Sequence, residues 1–209
     1  MIASIDIATD CSYTALFGSV SDVVHEVVGM VNSASEVFER SFNITLSLSD
    51  LEVSESTCPT LKREAGDWNM PCSNGSLLDR LDKFSIWRAT RTDDNAFWTL
   101  VTACSGIGIG VAWSGQLCNT NYNQHCGTGA NIVVSTGWEW QVFAHEAGHT
   151  LGAVHDCETD VCQTDLSEIV RMLPVLVVNM RCGREIPYGS CFLTIKKSNF
   201  EIKSFGAES

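Results

Sequence analysis

The sequence has few basic residues, no long apolar run and no pair of cysteines in a C-x-x-C arrangement. Its 209 residues include 13 Lys and Arg against 25 Asp and Glu, which gives a formal net charge of −12. Nucleic acids and anionic membranes bind basic surfaces, so this balance argues against both as partners. The apolar stretch at residues 169–180 contains Arg171 and Pro174 and is too short to cross a bilayer. We therefore expect no nucleic-acid partner and no membrane span in this chain.

The ten cysteines are many for a cytosolic protein. Since none has the C-x-x-C spacing of a structural zinc cluster, a disulfide-bonded extracellular domain is the better interpretation. Two glycosylation sequons, Asn43-Ile44-Thr45 and Asn74-Gly75-Ser76, agree with that compartment. Residues 1–6 lack the basic start and apolar core of a signal peptide. The chain is then either a fragment of a secreted or membrane-anchored precursor or is not exported as written. Its disulfide connectivity and oligomeric state stay open.

Hydrophobic periodicity predicts an α/β layer structure. Alternating residues or short apolar runs predict five strands, at residues 2–8, 43–53, 97–103, 107–113 and 131–135. Apolar residues at three- and four-residue spacing predict two long helices, at residues 21–42 and 76–91, the second capped by Ser76. In that second helix the pattern places Leu78 on the inner face and Arg80 on the solvent face. A break is expected at Asp10-Cys11-Ser12.

One segment carries the strongest functional signal: His145-Glu146-Ala147-Gly148-His149-Thr150-Leu151-Gly152-Ala153-Val154-His155-Asp156. His145 and His149 are four residues apart, so on a helix both imidazoles lie on one face and can reach one ion. Gly152 tolerates the positive φ of a sharp turn, which lets His155 return as a third ligand. Three neutral imidazoles plus one water form the open tetrahedral site of catalytic zinc. A chance His-Glu-x-x-His on an amphipathic helix is the alternative, but the extended pattern is far rarer.

Glu146 lies beside the ion in this arrangement rather than on it. Its carboxylate is placed to take a proton from water activated by the ion and to pass it to a leaving amine. We therefore predict one Zn²⁺ on His145, His149 and His155, with Glu146 as the catalytic residue. His25 and His125 are expected to be ordinary surface or packing residues.

The segment from His145 to Asp156 resembles the metzincin metalloendopeptidases, and Asp156 directly after the third histidine resembles the adamalysin or reprolysin (ADAM) branch. The preceding phrase resembles fungal members of that branch: Trp138-Glu139-Trp140-Gln141-Val142-Phe143-Ala144-His145. The resemblance covers residues 2–156. It implies a zincin catalytic domain with a mixed five-stranded sheet, backing helices, an active-site helix and a small irregular C-terminal subdomain. It also implies hydrolysis of peptide bonds in protein substrates.

In that family, the phrase at residues 107–113 resembles an exposed antiparallel edge strand that lines the cleft. An extended peptide joins such an edge as a further strand through main-chain hydrogen bonds. By this resemblance Gly108, Ile109, Gly110 and Val111 bind substrate. The alternative is a plain buried strand.

The resemblance implies a single domain of residues 1–209, divided into an upper subdomain at 2–156 and a lower subdomain at 157–209. The tail is atypical for the family. Met172, in Met172-Leu173-Pro174, is the candidate for a methionine turn under the metal, although the residues that usually precede that turn are missing, and Met180 is the weaker candidate. Three hypotheses stay open: a zinc-dependent endopeptidase, a catalytically impaired extracellular zinc-binding or adhesion domain, and a truncated chain.

Overall fold

The computed structural model describes residues 1–60, 67–106, 108–153 and 155. Within these ranges five strands form one sheet: β1 (Ile2–Thr9), β2 (Thr45–Val53), β3 (Phe97–Thr102), β4 (Gly110–Ala112) and β5 (Ala130–Val134). Their order across the sheet is β2-β1-β3-β5-β4. Strand β4 runs antiparallel to β5, whereas the other neighbouring strands are parallel. The predicted mixed five-stranded sheet is confirmed.

Helices cover both faces of this sheet. The described ranges contain α1 (Cys11–Thr14), α2 (Val20–Phe42), α3 (Leu77–Arg88) and α4 (Glu139–Thr150). Helices α2 and α4 pack on one face, where Val27 and Phe143 share a buried cluster with Ile7 of β1. Helix α3 packs on the other face, where Phe84 joins Leu100 of β3. Every residue of β3 is buried, as expected for a parallel strand covered on both sides.

The two long helices begin where the sequence offers capping side chains. The Ser19 hydroxyl accepts a hydrogen bond from the Asp22 backbone N–H at the start of α2. That helix ends at Asn43, which has the left-handed φ of 56° that asparagine tolerates. Ser76 and Asp79 form a reciprocal capping box at the start of α3, as the predicted Ser76 cap requires.

The predicted orientation of α3 is wrong at two positions. Leu78, predicted to face inward, is 56% exposed, and Arg80, predicted to face solvent, is fully buried. The Arg80 guanidinium donates to Asp10 Oδ2 at 3.0 Å and to the carbonyl oxygens of Trp68 and Met70 at 3.1 and 3.0 Å. A buried cation is tolerated when it is paired and hydrogen-bonded in this way, and the apolar pattern of the helix alone does not reveal the partners.

Asp10 is a junction between several elements rather than a break. Its Oδ1 accepts from the Tyr13 backbone N–H at 3.0 Å, which caps the short helix α1 where an irregular segment was expected. Its Oδ2 accepts from Arg80 of α3 and from the Thr102 hydroxyl at the end of β3. One carboxylate therefore joins the end of β1 to α1, α3 and β3.

Disulfide bonds cross-link the segments around this junction. Cys11 is bonded to Cys58, and Cys72 is bonded to Cys104. Cys118 and Cys126 are also disulfide-bonded. Bonds of this kind persist in oxidising compartments, so the disulfide-bonded character expected from the cysteine count is confirmed.

The expectations for the fourth strand and for the C-terminal tail are met only in part or lie outside the described residues. The fourth strand is shorter than predicted, since β4 covers only Gly110–Ala112 and Ile107 lies outside the described residues. The tail at residues 157–209, with Met172 and Met180, also lies outside them. Among the described residues, no helix is both long and apolar enough to cross a membrane.

Candidate metal centre

Helix α4 carries His145, Glu146 and His149 of the motif. Its start is fixed by Glu139, whose Oε1 accepts from the Ser135 hydroxyl at 2.8 Å and from the Thr136 and Gly137 backbone N–H groups at 3.0 and 3.1 Å. Val142 and Phe143 anchor the inner side of the helix in the core. His145 and His149 of the same helix are only partly buried.

A glycine turn ends the helix and reverses the chain. Gly152 has a φ of 100°, in the left-handed region, so its predicted positive φ is confirmed. The Gly152 N–H donates to the His149 carbonyl at 2.8 Å, and the Ala153 N–H donates to the Gly148 carbonyl at 2.9 Å. These bonds satisfy helix carbonyls that would otherwise lack partners, and the turn carries His155 back beside α4.

Three imidazoles converge beyond this turn. His149 Nε2 lies 3.2 Å from His145 Nε2 and 3.2 Å from His155 Nε2. Two nitrogens on a tetrahedral zinc ion stand about 3.3 Å apart, given zinc–nitrogen distances of about 2.0–2.1 Å. The spacing therefore fits a metal ion, and His145, His149 and His155 form a group that could hold one.

The protonation of the imidazoles also suits a cation. His149 Nδ1 lies 2.8 Å from the Ala153 carbonyl oxygen, which can accept only if Nδ1 carries the proton, so in the neutral ring the lone pair is on Nε2. Burial, and then the proximity of the other two rings, lowers the pKa of His145 to about 4. His145 is thus neutral at physiological pH, the form that ligates metal.

Glu146 lies beside the histidine cluster and points toward it. Its side chain is buried, and Oε1 is 4.0 Å from His145 Nε2. Burial raises the pKa of the Glu146 carboxyl to about 8. A carboxyl group whose pKa is close to neutral pH, next to a potential metal site, has the properties expected of an acid–base group.

The predicted substrate strand lies against the same helix. β4 is the outermost strand of the sheet, with Gly108 and Ile109 exposed and Gly110 and Val111 partly exposed. The Ile109 carbonyl accepts from the Val134 N–H at 2.8 Å, which ties the segment to the end of β5. The expected antiparallel edge strand is therefore present, and a plain buried strand is excluded.

Comparison with known proteins places this geometry in a family. A reprolysin family model, described as metallo-peptidase family M12, matches residues 1–183. The chain belongs to metallopeptidase family M12. The match continues past Asp156, where the resemblance recognised in the motif and its neighbours ends.

Several fungal M12 proteins are similar to this chain. The disintegrin and metalloproteinase domain-containing protein B of Aspergillus fumigatus is 44% identical over 178 residues, which covers 83% of this chain and 23% of that protein. Zinc metalloprotease mde10 of Schizosaccharomyces pombe is 24% identical over 180 residues, covering 76% of this chain and 35% of that protein. The chain thus spans about a quarter of the length of the first relative.

A solved structure supports the fold. One chain in a structure described as a chaperone-substrate complex has a TM-score of 0.54 and 13% identity, covering 74% of this chain and 24% of that chain. At this identity the similarity concerns the fold alone.

Hydrogen bonds that were not predicted from the sequence support helix α4 beside the histidines. Asn131 of β5 donates from Nδ2 to the Thr150 hydroxyl at 3.0 Å, and Thr150 donates to the Glu146 carbonyl at 3.0 Å. The Gly115 N–H, just after β4, donates to the His149 carbonyl at 2.9 Å. No local motif marks Asn131 and Gly115, because each contacts α4 from outside that helix, whereas Thr150 lies within the motif segment itself.

Three further residues were considered in the sequence: His25, His125 and Met172. His25 and His125 are exposed and are not part of the metal-ligating group. Met172 lies outside the described residues.

Proposed function

We propose that this chain is the catalytic domain of a zinc-dependent endopeptidase that hydrolyses peptide bonds in protein substrates. The observation that carries the proposal is the convergence of three imidazole nitrogens beside the buried carboxyl of Glu146, with His149 Nε2 lying 3.2 Å from Nε2 of both His145 and His155. His145, His149 and His155 would hold one Zn²⁺. When bound, zinc supplies a Lewis acid that makes water more acidic and polarises a carbonyl oxygen.

Glu146 acts as the general base and then as the general acid. It accepts a proton from the attacking water and returns it to the leaving amine. A cation held by the three neutral histidines would favour the ionised form that a base requires, since an opposite charge within about 4–6 Å lowers a carboxyl pKa. Burial works in the opposite direction and keeps the carboxyl able to hold the proton between the two steps.

The edge strand supplies the substrate platform. The outer side of β4 has no neighbour in the described sheet, so its main-chain groups can pair with an extended peptide. Such pairing is independent of peptide sequence and places the peptide backbone next to α4. Gly108, Ile109, Gly110 and Val111 are the residues proposed to make these contacts.

The compartment and the domain organisation complete the proposal. The disulfide bonds favour an extracellular location, as a secreted protein or an ectodomain, and Asn43 and Asn74 of the two sequons are both exposed. Residues 1–209 are proposed to form one domain, in which residues 157–209 complete a lower subdomain and Met172 forms the methionine turn.

Metal analysis combined with hydrolysis of an unfolded protein substrate tests the proposal. We expect one zinc per chain, with cleavage that a chelator abolishes and added zinc restores. Glu146→Gln should keep the zinc and lose activity by several orders of magnitude, because the amide keeps the shape but not the base. His155→Ala should lose stoichiometric zinc, whereas His125→Ala, at an exposed histidine, should not.

Two outcomes would contradict the proposal. Full activity in Glu146→Gln would remove that residue from the chemistry. Stoichiometric zinc without cleavage of any protein substrate would favour the alternative, a catalytically impaired zinc-binding or adhesion domain.

A further inference from the structure

We propose that Gly110 is a positioning residue for the Glu146 carboxylate, because the side chain that glycine lacks would occupy the space in which that carboxylate is held. This inference rests on the proposed peptidase function. It gives one residue of the edge strand a task distinct from main-chain binding of a peptide.

The contact between the two residues is closer than any side chain would permit. A Cβ atom built on Gly110 would lie 2.4 Å from Glu146 Oε1 and 2.8 Å from both Cδ and Cγ. Real Cβ atoms essentially never come within 3.0 Å of another heavy atom. Gly110 is not among the glycines of positive φ, so its backbone conformation is open to alanine and the requirement is purely steric.

Neither partner has room to withdraw. Gly110 is paired with Val133 in the antiparallel ladder, and the preceding residue is tied to β5 by the hydrogen bond from Val134. On the other side, Glu146 is 4% exposed and lies between two metal-ligating positions of α4. Helix α4 is held to the sheet by the hydrogen bond from Asn131 to Thr150. Packed interiors of this kind absorb an extra methyl group only by straining rotamers or shifting backbone.

The contact couples two parts of the proposed mechanism. The strand that would receive a peptide touches the aliphatic stem and carboxylate of the base. A small displacement of a catalytic group, of about 1 Å, can reduce turnover about 100-fold. The bare backbone of Gly110 therefore sets the distance between the substrate platform and the base.

Gly110→Ala tests the proposal directly. We expect unchanged zinc stoichiometry, a fall in kcat of about 100-fold and a KM within about threefold of wild type, since main-chain pairing is retained. The melting temperature should fall by about 3–10 °C, as for an overpacked core position. Gly106→Ala is the matched control, because its added Cβ would make only ordinary contacts with Leu77, the nearest at 3.6 Å. It should leave kcat and melting temperature unchanged.

A double-variant cycle isolates the contact from general damage to the strand. Glu146→Ala removes Cγ, Cδ and both carboxylate oxygens and so frees the volume that the new methyl group needs. In the Gly110→Ala background it should therefore raise the melting temperature, whereas in the wild-type background it should not. This measurement requires no peptidase activity.

The peptidase function and the contact between Gly110 and Glu146 are contradicted by different results. If the wild-type chain binds zinc and cleaves nothing, the peptidase function fails while the thermal cycle still decides the steric contact. If the wild type cleaves and Gly110→Ala matches it in kcat and melting temperature, the positioning role is overturned. Strict additivity in the cycle overturns it as well. If Gly110→Ala does not fold, recovery of folding by added Glu146→Ala supports the contact, and failure to recover overturns it.

Discussion

Replacement of Asp6 by asparagine should stabilise this protein at neutral pH. Asp6 lies in β1 with its carboxyl 1% exposed, and its Oδ1 has no hydrogen-bond partner among the described residues. The Asn95 side-chain amide donates to the other oxygen, Oδ2. Burial, and then the carboxylate of Asp93, raises the pKa of Asp6 from 3.8 to about 6. Hydrogen bonds from the Asn95 side chain and the Asp50 backbone lower this pKa in part, the Asp50 carboxylate adds a smaller repulsion, and Arg88 of α3 is a nearby positive charge.

The direction of the pH dependence follows from these two pKa values. Because the folded-state pKa lies above the unfolded-state value, the folded chain binds more protons in the interval between them. The free energy of unfolding therefore falls as the pH rises from about 4 to about 6. The corresponding loss at pH 7 is about 3 kcal/mol.

Asp6→Asn removes most of this loss. The amide oxygen can still accept from Asn95, but an amide N–H group replaces the unpartnered Oδ1 and costs about 1 kcal/mol. We expect a net gain of about 1–2 kcal/mol at pH 7.5, or about 2–8 °C in melting temperature, and no gain at pH 4. Urea unfolding of the zinc-free wild type and variant from pH 4 to pH 8 measures both, because protonation of the imidazoles would release zinc at the acid end of this range.

Asp94→Asn is the control for this prediction. It removes the same charge from an exposed neighbouring position, so its effect on the free energy of unfolding should be small at every pH. A gain for Asp6→Asn that is independent of pH, or no gain at pH 7.5, would refute the reasoning.

The remaining predictions concern the metal turn, the buried ion pair and the tail. Gly152→Ala forces a side chain onto a φ of 100°, so it should cost about 1–3 kcal/mol and weaken zinc binding in a chelator competition; unchanged affinity would contradict it. Arg80→Met leaves a buried carboxylate unpaired and should lower the free energy of unfolding by about 3–5 kcal/mol. Arg40→Met, at an exposed ion pair, should change it by less than about 1 kcal/mol, and equal losses would count against the distinction. Met172→Asp should weaken zinc binding more than Met180→Asp, and the reverse order would move the methionine turn to Met180.

The features predictable from the sequence are those that depend on residues close together in the chain. The period of the apolar residues in α2 and the alternation in β1 report burial on one face, so both elements were located within a few residues. The group of three histidines also depends on residues close together in the chain. His145 and His149 meet because of the helical repeat, and a single glycine turn brings back His155.

The features that were missed depend on partners distant in the chain. Arg80 sits at a polar position of an amphipathic pattern, and only the fold shows that Asp10, 70 residues away, neutralises it. The disulfide bonds close separations of 47 and 32 residues that spacing alone does not specify. The contact of Gly110 with Glu146 is equally invisible in one sequence, since it arises where an edge strand crosses a helix.

The Asp10 junction bears on how long the folded state lasts. Its carboxylate accepts hydrogen bonds from residues 70 and 92 positions further along the chain. Contacts at such separation carry the entropy of large loops and form only after β1, α3 and β3 have come together. We therefore expect the junction to be absent from the folding transition state, so that its loss accelerates unfolding while leaving the refolding rate nearly unchanged. In the extracellular location proposed above, where chaperones cannot rescue an unfolded chain, that carboxylate would govern the lifetime of the native molecule rather than the speed of its formation.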